Sequence, residues 1–406
     1  MTIEQLTYTP TPFEQDVLNL VDEQALIDLT RTLVDAGGEN PGGNESKTAR
    51  ALQAAGHARG MHACVDMVVP HRPNMEIELP SGGVVGNGPG LLFLGHSDVV
   101  PAGPGWTRSP FESVVENGRI YGRGTSDMKG GLAAVLTAMD ALKRAQVPLS
   151  GPVRLACTVD EEGLGLGIRH LTKRGLRREF AGCIVAEPTD LKTVVACRGD
   201  AFLELEITGV PAHSGRPADG RSAIVAASRL IALVQDDHDR QSLHQDPLLG
   251  SATWNVGRID GGRATSMVAP ECKLWVDRRL MPGENPDVIL AELLSAADLA
   301  GITGDGITLE GTVTMSMPGF RTPVEHPLVS AVHSAVQDAG GPEGIGGWSA
   351  ACDGGFIAQG LGVPTVVMGP GGLNDQAHQV DESVGVGELA LAARAYVLAA
   401  LRLLSP

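Results

Sequence analysis

Leu91-Leu-Phe-Leu-Gly-His-Ser-Asp98 sets the architecture of this chain. Its apolar residues follow one another without the alternation of a half-exposed strand, the pattern of a strand covered on both faces in a parallel sheet. Val153–Val159 and Cys183–Ala186 repeat it. Between the first two runs, Gly130–Ala145 has small and apolar residues at helical spacing and ends in Lys143 and Arg144, charges suited to a helix C-terminus. The class is therefore α/β, with a mostly parallel central sheet flanked by helices.

After the third run the texture changes. Phe202–Thr208 alternates in period two, with Leu203, Leu205 and Ile207 on one face and Phe202, Glu204 and Glu206 on the other, as in a sheet exposed on one side. A helical pattern over Ser222–Val234 follows, then strand patterns at Ala252–Ile259 and Glu271–Asp277, then a helix near Pro286–Leu299. Residues 192–308 read as a smaller α+β domain inserted into a larger one of residues 1–191 and 309–406. The α/β texture returns with a helix at Pro327–Ala339, a strand at Pro364–Met368 and a closing helix near Gly387–Leu404. The glycine-rich Ser81–Gly90 reads as a hairpin turn or surface loop.

With 406 residues, 43% of them hydrophobic, the chain is too long for one small module and too apolar for disorder. Its net charge of −17 disfavours nucleic acid and anionic membrane surfaces as partners. No apolar stretch reaches the length of a membrane span, and the first sixteen residues lack the charge and hydrophobic layout of a signal peptide, so a cytoplasmic protein is expected. The six cysteines are dispersed, with no C-x-x-C pair, and read as buried reduced thiols.

Four acidic or histidine clusters each follow a buried strand: His96-Ser-Asp98, Asp160-Glu-Glu162, Glu187, and the loop that reaches His378. In open α/β sheets that edge is where ligands bind, so the clusters are expected to converge on one crevice. His96-x-Asp98 taken alone fits a surface pair in a loop better than a metal ligand and its carboxylate partner. Three adjacent carboxylates after an apolar strand point more strongly to a cation, because buried like charges are costly without one. Gly163-Leu-Gly-Leu-Gly167 mimics a dinucleotide fingerprint, but the carboxylates before it would repel a pyrophosphate and the spacing is wrong. No G-x-S-x-G elbow or P-loop is present.

In order along the chain, Gly95-His-Ser-Asp-Val-Val-Pro101, Tyr121-Gly-Arg-Gly-Thr-Ser-Asp-Met-Lys-Gly-Gly131, Asp160-Glu-Glu-Gly163, Ala186-Glu-Pro-Thr189, Ala212-His-Ser214, Asp277-Arg-Arg279 and the His378 loop resemble the M20 peptidases. That family includes acetylornithine deacetylase, succinyl-diaminopimelate desuccinylase and glutamate carboxypeptidases. Trp106-Thr-Arg-Ser-Pro-Phe111, Asp277-Arg-Arg-Leu-Met-Pro-Gly283 and Asp375-Gln-Ala-His-Gln379 with Asp381-Glu382 resemble the acetylornithine deacetylase group most.

The resemblance implies a metal-dependent hydrolase of the amide bond in an N-acyl amino acid, with desuccinylase, dipeptidase or carboxypeptidase action as alternatives. A metal-dependent binding protein on the same fold is the non-enzymatic alternative. It implies two divalent cations per subunit, zinc first and Co2+ or Mn2+ as further fits. His96, Asp127 and Glu187 would hold one and Asp127, Glu162 and His378 the other. Glu161 resembles the general base and Asp98 the partner of His96. The inserted domain would be a lid and dimerisation domain, with His213 reaching the neighbouring subunit of a homodimer to stabilise an oxyanion. Arg279 would contact a substrate carboxylate, or else pair with Asp277. Ser266 stands where the family usually has asparagine, and one hydroxyl does not reproduce an amide's hydrogen bonds to substrate.

Overall fold

The computed structural model describes residues 9–79 and 88–405. Residues 81–87 of the expected glycine-rich turn lie outside them. The chain forms two compact units. The first runs to Val195 and takes in Arg321–Gly346 and the chain from Phe356; the second is Ala196–Phe320 with Gly347–Gly355.

In the first unit six neighbouring strands of a nine-stranded sheet follow in the order His62–Val69, Arg72–Glu78, Val153–Thr158, Gly90–His96, Phe180–Val185, Thr365–Val367. The last four are parallel, and the first two add an antiparallel hairpin at one edge. Every residue of Gly90–His96 is buried. Helices Gly130–Arg144 and Val386–Leu404 pack on this strand and on each other. Phe93 meets Tyr396 edge-on with ring centroids 5.1 Å apart, and both are fully buried. Burying side chains of this size contributes about 1.5–3 kcal/mol each. Parallel order brings the C-terminal ends of four strands to one edge.

The edge hairpin escapes a pattern reading. Its outer strand is exposed at alternating and adjacent positions alike, so neither strand period is clean. Cys64 sits on that strand and is exposed, unlike the other five cysteines; all six are free thiols. The expectation of six buried thiols is corrected at this position, because an edge strand leaves its outer residues uncovered.

The second unit is a four-stranded antiparallel sheet in the order Thr253–Gly261, Glu271–Leu280, Gly199–Thr208, Thr308–Met317. One face carries Leu203, Leu205 and Ile207 into a core with Leu230, Val234, Leu290 and Leu293 from helices Ala223–Ser242 and Pro286–Leu299. On the other face Phe202 is exposed and Lys273 pairs with Glu204 and Glu206. Thr308–Met317 pairs with Gly199–Thr208, which carries the unit past the expected residue 308 to Phe320. The first of the two helices outruns the expected Val234 because Gln235–Ser242 is polar and solvated while its backbone stays helical. Ser222 caps the start, its hydroxyl accepting from the Val225 N–H at 3.3 Å. Among the described residues, no helix is long and apolar enough to cross a membrane.

Gly131 opens the helix that covers the central strand, and a Cβ there would lie 2.1 Å from the Ala186 carbonyl oxygen. Only glycine lets the helix rest on the strand end that precedes Glu187. Gly131→Ala is expected to destabilise the protein by about 1–3 kcal/mol in urea denaturation, because overpacking outweighs alanine's gain of about 1 kcal/mol in helix propensity. An unchanged or higher midpoint would show that the contact is not tight.

Candidate metal centre

His96 ends its strand, Asp160-Glu-Glu162 follows Val153–Thr158, Glu187 follows Phe180–Val185, and the loop to His378 follows Thr365–Val367. Asp127 arrives on the turn before helix Gly130–Arg144. The loop after Glu187 is tied to the loop before His378: Thr189 and Asp190 N–H groups donate to the Gly369 and Gly371 carbonyls at 3.2 and 2.8 Å. His378 itself takes a left-handed backbone with φ of 63°, a conformation a non-glycine residue holds only where its surroundings impose it.

Five side chains converge in two groups, His96, Asp127, Glu187 and Asp127, Glu162, His378, each with its ligand atoms within 4.8 Å of one another. His96 Nε2 lies 3.2 Å from Asp127 Oδ1 and 3.4 Å from Glu187 Oε1. His378 Nε2 lies 3.3 Å from Asp127 Oδ2 and 3.1 Å from Glu162 Oε1. Each oxygen of Asp127 thus serves one group. Two imidazoles and three carboxylates in this arrangement could hold two divalent cations with Asp127 between them.

Asp98 holds this cluster in a way the tripeptide did not reveal. The ring Nδ1 of His96 hydrogen-bonds the main-chain oxygen of Asp98 at 3.0 Å, while the carboxylate stands 3.6 Å off. Its oxygens accept instead from the N–H groups of Glu161 and Glu162 at 3.2 and 3.1 Å and from Asn40 Nδ2 at 3.0 Å. Asn40, which sequence reasoning missed, also donates to Asp160 at 2.9 Å. Asp160 turns away from the cluster to pair with Arg72 at 2.8 Å and to accept from the Leu164 N–H at 3.1 Å. Of the three adjacent carboxylates, Glu162 alone joins a ligand group.

A model of peptidase family M20/M25/M40 matches residues 92–402. The chain belongs to this family. It is 31% identical over 303 residues to the acetylornithine deacetylase of Proteus mirabilis, covering 73% of this chain and 74% of that one. With the acetylornithine deacetylase of Klebsiella pneumoniae it is 33% identical over 309 residues, 72% of this chain and 75% of that one. A tripeptidase from Staphylococcus aureus superposes with a TM-score of 0.76 at 26% identity, over 95% of this chain and 99% of its own. A dinuclear metal-binding M20 peptidase from Bacillus subtilis shares the fold, with a TM-score of 0.72 at 16% identity over 94% of this chain and 98% of that one. This M20 protein is a metal-dependent amidohydrolase, similar to acetylornithine deacetylases.

Charge in the M20 site is arranged around a cation deficit. Burial raises the pKa of Glu187 well above the ordinary carboxylate value, with Asp127 and Glu162 adding to it, and burial beside Asp127 likewise raises that of Glu162. Burial works against a charged His96, yet Glu187, Asp127 and Asp98 pull its pKa well above the usual imidazole value. Hydrogen bonds to Asp127 and Glu162 lift His378 to about 10. Burial opposes ionisation of Asp127, but the two histidines hold its pKa below the usual range.

The remaining expected site residues lie in the second unit. His213 and Ser266 are exposed neighbours: Ser214 N–H donates to the Ser266 carbonyl at 3.0 Å, and His213 bridges Met267. Arg279 is bidentate to Asp277, at 3.1 and 3.0 Å, and lies 3.3 Å from Asp200. The ion pair with Asp277, one of the two readings of Arg279, is formed. Burial pushes Asp200 up to about 6 against the pull of Arg279.

In the metal-free protein the neighbouring carboxylates favour the protonated form of both imidazoles, raising the pKa of His378 to about 10, and ligation needs the neutral rings. Adding divalent metal at pH 7 is therefore expected to release protons, about one per subunit from His378 alone, read with a pH indicator in weak buffer, and affinity is expected to fall as pH falls. Binding without proton release would contradict this charge assignment.

Proposed function

We propose that this M20 enzyme is a deacetylase-like hydrolase of N-acyl amino acids. One arrangement carries the reading: two ligand groups share Asp127, with Glu161 next to Glu162 and in neither group. The donor set, one imidazole and two carboxylates in each group, fits divalent cations, zinc first and Co2+ or Mn2+ after it. His96, Asp127 and Glu187 hold one, and Asp127, Glu162 and His378 the other. Bound there, the cations supply Lewis acidity, which makes water a nucleophile near neutral pH and stabilises negative charge on the acyl oxygen.

Glu161 takes the proton of the attacking water and returns it to the leaving nitrogen. Asp98 fixes that base by accepting from the main-chain N–H of Glu161 at 3.2 Å. The exposed His213 donates to the oxyanion in the neighbouring subunit of a homodimer. The second unit supports such a dimer: its sheet ends in Thr253–Gly261 on one side and Thr308–Met317 on the other, and Ile224, Val225 and Ile259 are exposed apolar residues. In this reading the unit is the lid and dimerisation domain. Ser266 meets the substrate, and its single hydroxyl shifts specificity away from that of an asparagine. Arg279, already engaged by Asp277 and Asp200, fixes the sheet end rather than a substrate carboxylate. Six free thiols support a cytoplasmic enzyme.

The likeness to the tripeptidase favours peptide hydrolysis as a second reading. A panel of N-acetyl and N-succinyl amino acids and tripeptides, assayed after chelation and after zinc is restored, separates the two. Metal-dependent turnover of N-acetyl amino acids is expected, and turnover of tripeptides alone would reverse the order.

Glu161→Gln is expected to keep its full metal content and lose about 10²- to 10⁴-fold in kcat. Native turnover in that variant would remove Glu161 from the role. Mixing Glu161→Gln subunits with His213→Ala subunits is expected to restore up to about a quarter of native activity, because half of randomly formed dimers then hold one site with both groups intact. No recovery in confirmed mixed dimers would refute the reach of His213 between subunits.

A further inference from the structure

Glu382 is fully buried in the first unit and belongs to neither ligand group. It follows the His378 loop and immediately precedes the strand Ser383–Gly385, which pairs with Arg119–Tyr121. Its Oε1 accepts from the N–H groups of Ser126 and Asp127 at 2.8 and 3.0 Å. Its Oε2 accepts from the Gly124 N–H at 2.9 Å and from Arg123 Nη1 at 2.8 Å. Its main-chain oxygen accepts from the Gly122 N–H at 2.9 Å. One side chain thus gathers the main-chain donors of Gly124, Ser126 and Asp127 and the guanidinium of Arg123.

Arg123 is itself buried and carries the constraint onward. The same Nη1 donates to the carbonyl of Gln379 at 3.1 Å, one residue beyond His378, and the guanidinium lies 5.1 Å over the Trp106 ring. A buried carboxylate with both oxygens filled by donors is held in a single orientation, and so is the backbone it holds.

We propose that Glu382 is a positioning residue that fixes Asp127, the one carboxylate common to both ligand groups, and through Arg123 locks it to the His378 loop. The inference rests on the two-cation reading of the site. It assigns to Glu382 an effect on both cations together, which no ligand belonging to a single group would have. Glutamine is the informative replacement. It keeps the shape but sets an amide NH2 against one of two pairs of donors, Ser126 and Asp127 or Gly124 and Arg123, and removes the charge that strengthens all four bonds.

The experiment is a zinc titration of full-length native, Glu382→Gln, Glu382→Asp and His378→Ala proteins against a chromophoric chelator, with circular dichroism and thermal melting of each. In Glu382→Gln both dissociation constants are expected to rise together by about ten- to a hundredfold in a protein with native circular dichroism. Glu382→Asp, which keeps the charge but withdraws it by one methylene, is expected to fall between, and His378→Ala to weaken one ion selectively. Unchanged constants in folded Glu382→Gln, or a loss confined to one ion, would overturn the proposal. If Glu382→Gln does not fold, Glu382→Asp decides by the same criterion. Failure of both to fold would make Glu382 a support of the unit as a whole and overturn the positioning role. A native protein that takes up fewer than two ions would instead overturn the two-cation reading, and this inference with it.

Discussion

Asp127, Glu162 and Glu187 bring three carboxylates into one largely buried space, where each disfavours the ionisation of the others. Burial alone would protonate or expel such a group, so the arrangement persists only with positive charge among the oxygens. The imidazoles of His96 and His378 lie against these carboxylates, and each meets a different oxygen of Asp127. The fold answers this constraint. Parallel strands deliver His96, Glu162 and Glu187 to one sheet edge, and the close approach of Gly131 to Ala186 brings the helix behind Asp127 against the strand that leads to Glu187.

A second layer of buried polar groups gives the cluster its geometry. Asp98 serves the main chain of Glu161 and Glu162 more than the ring of His96, and Asn40 joins Asp98 to Asp160. Glu382 does for Asp127 what Asp98 does for the glutamates. Both carboxylates are fully buried and bound by main-chain N–H groups, so removing either leaves several donors without partners. A site of like charges is destabilising to the empty fold, and cations that bind only the folded chain return that stability by mass action.

The parallel strands were legible because burial on both faces writes itself as an unbroken apolar run, and the second sheet because exposure on one face writes itself as alternation. The order of the histidine and carboxylate clusters made the site residues readable as a resemblance. The outer strand His62–Val69 was not legible, since an edge imposes no period on its residues. The polar end of Ala223–Ser242 was hidden because nothing apolar covers it. Asn40 was out of reach for another reason. It acts on Asp98 and Asp160, 58 and 120 residues away, and no local pattern records such a contact. The same holds for Glu382, which sits 255 residues from the Asp127 N–H it binds and reads in sequence as one more acid in a polar loop.

The central claim is that two cations share Asp127. Anomalous diffraction from crystals of the zinc-loaded protein, recorded on both sides of the zinc absorption edge, tests it most directly. The account predicts two peaks, one among His96, Asp127 and Glu187 and the other among Asp127, Glu162 and His378. A single peak, or peaks that leave Asp127 out of either site, would contradict it.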